Sequence, residues 1–170
     1  KKNYNLICPK RNNKFNIKNK FQLKKYITED VDIIINLTGQ ININKQKMFE
    51  TIVRGNQNII DIVLSLKKNI LVYYFSTTLV YGYSSKILSE NSKVNPISSY
   101  SKYKRLVEIN YLNSKINFKI FRVSNVFSKN KIGIIQNLIN YFQNDKKIII
   151  TNLNTFRNYI SIEDFGNIIS

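Results

Sequence analysis

The sequence predicts an α/β fold, a doubly wound parallel sheet with helices on both faces. Short, fully apolar runs alternate along the chain with longer stretches whose apolar residues recur at helical spacing. The runs lack the polar alternation of a sheet open to water on one side, so they read as strands covered twice. Regular alternation of strand and helix then favours right-handed crossovers and parallel neighbours.

The elements follow in order. Tyr4 to Cys8 reads as a strand and Phe21 to Ile27 as a short helix. Val31 to Leu37, with Ile33, Ile34 and Ile35 consecutive, reads as a strand buried on both faces, and Gly39 breaks the chain after it. Phe49 to Leu66 is a long amphipathic helix, its inner face carrying Phe49, Ile52, Val53, Asn56, Ile59, Ile60, Val63 and Leu64. Ile70 to Phe75 is a second apolar strand. A loop rich in Ser, Lys and Asn runs to Pro96, and a helix spans Ser99 to Leu112. Phe118 to Val123 is a third buried strand, Ile134 to Phe142 a helix and Ile148 to Ile150 a strand. Ser161, with Asp164 three residues on, opens a last helix in a capping-box arrangement.

A Rossmann-like sheet of this kind binds ligands beyond the carboxyl ends of its strands. Those ends are Thr38 and Gly39, then Ser76, Thr77 and Thr78, then Ser124 and Asn125. Any one of them is ordinary loop chemistry. Together at one edge of a sheet they favour a ligand crevice.

Composition narrows the chemistry. The 170 residues suit a core of domain size. No apolar stretch is long enough for a membrane span, and the first residues carry no secretory pattern. The absence of a starting Met reads as the mark of a fragment. A net charge of +17 invites a nucleic-acid partner. The charge is mostly lysine, however, and is spread along the chain, so a solvated surface explains it better and no nucleic acid is expected. Cys8 is the lone cysteine and histidine is absent. That removes intrachain disulfides, the usual zinc sites and any His-dependent triad, and it suits a reducing, cytoplasmic setting. No metal is expected.

Ser99-Tyr100-Ser101-Lys102-Tyr103-Lys104 is the most informative stretch. On a helix Tyr100 and Lys104 share a face, continued by Val107 and Tyr111. A lysine on a buried stripe needs a reason. An ammonium beside a phenol favours the phenolate, so the pair is expected to lower the Tyr100 pKa towards neutral and make it an acid/base. A nearby hydroxyl such as Thr77 would hold the substrate oxygen. The alternative is that Tyr100 is a core aromatic and Lys104 snorkels past it to water.

Asp32 to Gly39, Val53 to Ile60, Phe75 to Gly82, Glu90, Pro96 to Glu108, Phe121 to Phe127 and Arg157 to Asp164 together resemble the extended short-chain dehydrogenase/reductases, the NAD-dependent epimerases and dehydratases of sugar nucleotides. These segments match the family's order and its approximate spacing. The resemblance implies a Rossmann-like domain over 1–127 and the beginning of a substrate-binding region over 128–170. It implies Tyr100 as acid/base, Lys104 on the nicotinamide ribose and Thr77 as the active-site hydroxyl. Thr38, Gly39, Ser76 and Val123 would line NAD or NADP together with Tyr100 and Lys104. Thr77, Thr78, Asn125 and Arg157 would meet a nucleotide-sugar substrate. Relatives commonly pair as homodimers through the helices at 49–66 and 99–112.

The departures also carry information. The family's first strand and GxxGxxG loop do not appear. Its usual Asn in the long helix falls at Ile52 and the usual Thr at Asn56, while a motif His falls at Asn36. Thr78 and Leu79 stand where 4,6-dehydratases carry Asp-Glu, which favours epimerisation or simple redox chemistry. Lys10 and Arg11 would suit the extra phosphate of NADP or be a solvated basic turn. The expected function is a NAD(P)-dependent epimerase or reductase acting on a nucleotide-activated sugar. The alternative is a catalytically inactive relative that binds a nucleotide as sensor or scaffold.

Overall fold

Short polar side chains start the helices. Asn19 accepts from the amides of Phe21 and Gln22 at 3.0 and 3.1 Å and opens α1 (Lys20–Lys24). The apolar run after Asp32 forms β1 (Ile33–Asn36). Asn44, accepting from Lys47 N at 2.9 Å, opens one long helix. It consists of α2 (Lys45–Phe49), a π turn over Glu50–Arg54, and α3 (Gly55–Ser65). β2 (Leu71–Thr77) follows, and Thr77 Oγ1 accepts from Leu79 N at 3.3 Å to start a 3-10 turn over Thr78–Tyr81. Beyond Pro96, Ser98 accepts from Ser101 N at 3.1 Å and opens α4 (Ser99–Leu112). β3 (Asn117–Val123) comes next.

The computed structural model describes residues 5–9, 15–39, 41–128, 134–144, 147 and 157–169. It divides into two units, Lys1–Arg122 and Val123–Ser170. The first is built on a sheet in the order β1-β2-β3. β1 and β2 are parallel, with Ile33 opposite Leu71 and Asn36 opposite Tyr74. The long helix makes the connection between them, as a parallel pair requires. The core gathers Val72 and Tyr74 of β2, Ile52 and Ile62 of the long helix, and Val107 and Tyr111 of α4, all fully buried. Phe121 of β3 stacks on Phe75 at 5.1 Å and meets Tyr73 edge-on at 5.4 Å. Gly55 marks a close approach between the long helix and the segment before α1. A Cβ there would lie 2.7 Å from Ile17 Cγ2, so a side chain would push the two apart.

The expected α/β architecture and most of its elements stand, with corrections in detail. Residues 5–9 form no strand, and Tyr4 lies outside the described residues, as do Ile148 to Ile150. β1 is not buried on both faces: Ile33 and Ile35 are 40% and 51% exposed. β3 is likewise only half-buried. The long helix begins earlier than expected, at Lys45, because Asn44 caps it. Leu64 is exposed, while Ile62 is fully buried because α3 packs on both α1 and α4 and needs a broad apolar stripe. Among the described residues no helix is long and apolar enough to cross a membrane.

The second unit holds a strand pair that hydropathy did not reveal. β4 (Asn125–Phe127) runs parallel to β5 (Tyr159–Ser161), with Asn125 opposite Tyr159. These strands are too short to show a period. α5 (Ile134–Gln143) lies between them in sequence. Ser161 caps α6 (Ile162–Ile169), its Oγ accepting from Asp164 N at 2.9 Å and donating to Asp164 Oδ2 at 2.8 Å.

Ile52 sits inside the π turn with apolar neighbours. Ile52→Asn is expected to lower stability by about 2–4 kcal/mol through lost burial and a poorly paired amide. The urea midpoint measures it, and an unchanged midpoint would mean that the π turn can pair the amide.

Candidate active site

Helix α4 places Tyr100, Lys104, Glu108 and Tyr111 along its inner face at one-turn steps. Lys104 is only 3% exposed. Its ammonium donates to Phe75 O of β2 at 2.7 Å and to Thr38 O, just past β1, at 3.0 Å. It lies 5.0 Å from the centre of the Tyr74 ring and 5.8 Å from that of Tyr100. The buried lysine therefore rests on carbonyl dipoles and aromatic faces at the ends of two adjacent strands, and it does not snorkel to water. Gly39 makes room for it. With φ at +138°, Gly39 adopts a backbone that L side chains rarely take, and a Cβ there would overlap Lys104 Nζ and lie 2.7 Å from Cε.

Burial drives the Lys104 pKa down to about 8, against a smaller opposing pull from Glu108. Burial also pushes the Tyr100 hydroxyl above its ordinary value. The expected lowering of Tyr100 by Lys104 is not found. The ammonium sits over the Tyr100 ring and gives its hydrogen bonds to the Thr38 and Phe75 carbonyls, so desolvation dominates the phenol.

Thr77 ends β2, two residues beyond the Phe75 carbonyl that holds Lys104, and is nearly buried. Thr78 begins the 3-10 turn beside it and is half-buried. Helix α4 packs against both β2 and this turn. The structure thus brings Thr38, Gly39, Lys104 and the end of β2 together, with Tyr100 at the start of the same helix.

Ser76 has a different engagement. Its hydroxyl donates at 2.5 Å to Glu108 Oε1, the centre of a buried ionic cluster. Glu108 is 0% exposed. Arg122 grips it with two bonds, Nε to Oε1 at 3.1 Å and Nη2 to Oε2 at 2.9 Å, and Arg105 Nη1 reaches Oε2 at 2.7 Å. Arg122 Nη1 continues to Tyr81 Oη at 2.8 Å and to Glu90 O at 3.2 Å. Burial raises the Glu108 carboxyl, but bonds from Arg122, Ser76 and Arg105 more than reverse this and hold it below its ordinary value. Sequence reasoning placed Glu108 and Arg122 in motifs without a role. The available signal was a carboxylate one turn after Lys104, on the same buried face.

Val123, Asn125 and Arg157 fall in the second unit. There Asn125 opens β4 and bonds to the residue just before β5: its Nδ2 donates to Asn158 O at 3.1 Å, and its backbone N does so at 3.3 Å. Arg157 is exposed, one residue before Asn158, so these two candidates lie at the same end of the β4–β5 pair.

The profile of the NAD dependent epimerase/dehydratase family matches residues 1–170. No curated protein gave a sequence match. Among solved structures, the Bordetella bronchiseptica enzyme WbmG, in complex with NAD and UDP, aligns with a TM-score of 0.80 at 18% identity, over 91% of this chain and 51% of its own. Thermotoga maritima UDP-glucose 4-epimerase with UDP-glucose aligns at 0.78 and 14%, over 90% and 55%. Streptomyces venezuelae DesIV, a dTDP-glucose 4,6-dehydratase with NAD and TYD bound, aligns at 0.78 and 20%, over 91% and 52%. The chain spans about half the length of these structures, and at such identities the likeness establishes the fold.

Two outcomes follow from the buried charges. Glu108→Ala is expected to cost about 3–5 kcal/mol of stability, because it strands Arg122 and Arg105. Since the Glu108 pKa is lowered, its contribution is present above the ordinary carboxylate range and lost as pH falls through the depressed value. Urea unfolding of wild type and variant should therefore converge in acid. Lys104 acts in the same sense in a more alkaline window. Between about pH 8 and the ordinary lysine range the unfolded chain holds a proton that the folded chain has released, so stability rises with pH there. Lys104→Met should lack that rise.

Proposed function

Because the chain belongs to the NAD dependent epimerase/dehydratase family, we propose that it carries the catalytic centre of a NAD(P)-dependent epimerase or reductase acting on a nucleotide-activated sugar. The observation that carries the reading is the Lys104 ammonium, buried at the ends of β1 and β2 with Tyr100 one turn before it. A buried cation held at the ligand-binding edge of a Rossmann-like sheet has a poor structural rationale and a good chemical one.

The strand ends suit a cofactor. Gly39 presents bare backbone beside Lys104, and Thr38 adds a half-buried hydroxyl. Thr38, Gly39 and Val123 would line the cofactor, with Lys104 and Tyr100 at its reactive end. NAD or NADP supplies a hydride acceptor when bound. As the phenolate, Tyr100 would take the proton of a substrate hydroxyl as the carbon beneath it loses hydride, and as the phenol it would return that proton to the carbonyl oxygen when hydride comes back. Thr77 holds that oxygen. The raised pKa keeps Tyr100 a phenol at rest, which suits the proton-giving direction; the proton-taking direction starts from the phenolate. Thr78, Asn125 and Arg157 would meet the substrate, Arg157 through its phosphates. The Thr78-Leu79 pair in place of two acids favours epimerisation or redox chemistry over dehydration. Exposed Leu106, Ile109 and Leu112 on α4 suit a homodimer seam.

One observation favours an inactive nucleotide-binding relative instead: Ile52, a fully buried apolar residue where the family usually has Asn. Both readings meet one experiment. The full-length gene product is assayed for cofactor absorbance change with a panel of sugar nucleotides, beside Tyr100→Phe. The variant is expected to lose about 10²–10⁴-fold in kcat while still binding cofactor. Normal turnover by Tyr100→Phe would sink the mechanism. Cofactor binding by the wild type without turnover on any substrate would leave the inactive relative.

A further inference from the structure

Under the Thr38 carbonyl that holds Lys104 runs a chain of buried amides. Asn36 Oδ1 accepts from Thr38 N at 3.1 Å and from Thr38 Oγ1 at 2.6 Å. Asn36 Nδ2 donates to Asn56 Oδ1 at 2.6 Å, and Tyr111 Oη donates to the same oxygen at 3.1 Å. Asn56 Nδ2 donates at 2.6 Å to Ile52 O in the π turn. All three side chains are buried. The chain has a direction. Thr38 N only donates and Ile52 O only accepts, so these backbone groups fix which end of each amide is oxygen.

We propose that Asn36, held by Asn56 and Tyr111, is a positioning residue for Lys104: it locks the turn at Thr38 so that the Thr38 carbonyl faces the ammonium. The proposal rests on reading Lys104 as part of the active site. The side chain at position 36 must accept from Thr38 with one atom and donate to Asn56 with another. A carboxylate would set acceptor against acceptor, and an apolar residue would leave the turn unanchored. The Thr38 carbonyl favours the charged lysine and so opposes burial. The other groups facing Lys104 are Tyr74 of β2 and Tyr100 and Glu108 of α4, and a change at Asn36 leaves their identities intact.

The test follows the Lys104 titration by NMR through its Cε resonance, in the full-length protein, assigned with Lys104→Met. Asn36→Ala is expected to move that titration to lower pH. It is also expected to cut kcat roughly tenfold, the worth of one hydrogen bond to a charged group, with KM for the sugar nucleotide unchanged. Thr38→Val is isosteric and removes only the Oγ1 bond. It should move the titration the same way by less, and it carries the test if Asn36→Ala does not fold. Asn36→Ser restores an acceptor for Thr38 N and should recover most of the shift. If Lys104 titrates as in wild type in the folded variants, whatever their stability, Asn36 is merely structural and the proposal fails. A shifted titration in a protein without turnover on any sugar nucleotide supports the positioning and counts against the catalytic reading, so the two failures are distinct.

Discussion

A lysine ammonium between the carbonyls of two neighbouring strands is the constraint around which this site is arranged. It ties α4 to β2 through Phe75 and to the end of β1 through Thr38. It also demands a residue without a side chain at position 39 and aromatic faces at positions 74 and 100. Two carbonyl dipoles take hydrogen bonds from the ammonium without neutralising its charge, so the cost of burial persists as a pKa of about 8. A countercharge at hydrogen-bonding distance would have removed that sensitivity.

The countercharge is present one turn further along α4, but it is committed elsewhere. Glu108 collects Arg122, Arg105 and Ser76, and through Arg122 it fastens the 3-10 turn at Tyr81 and the loop at Glu90. The inner face of one helix thus has two neighbouring polar regions. One is fully satisfied and holds β2, β3 and the loop beyond the turn in register. The other has its ammonium at the open ends of the strands. Residues that share a motif in the sequence divide between these tasks, and Ser76 and Thr77, adjacent in the chain, illustrate the division.

The fold was largely legible because its signals are local. Runs such as Leu71 to Phe75 and the inner stripe of the long helix follow from periodicity, and Ser161 caps a helix where expected. Coverage was less legible. Ile33 and Ile35 look like core residues in sequence, yet what covers a strand face depends on elements far along the chain. The helix containing Tyr100 and Lys104 was readable from spacing, but the lysine's partners were not, because they are backbone oxygens and every residue has one. The Glu108 cluster joins residues 76, 108 and 122, separations at which no sequence period operates. Strands β4 and β5 have too few residues to announce themselves.

The amides at positions 36 and 56 point the same way along one line, and neither can reverse without stranding a polar atom in the interior. Drift at either site alone is therefore penalised, while a concerted replacement need not be. A second substitution would have to restore the donor-to-acceptor order that the first one broke.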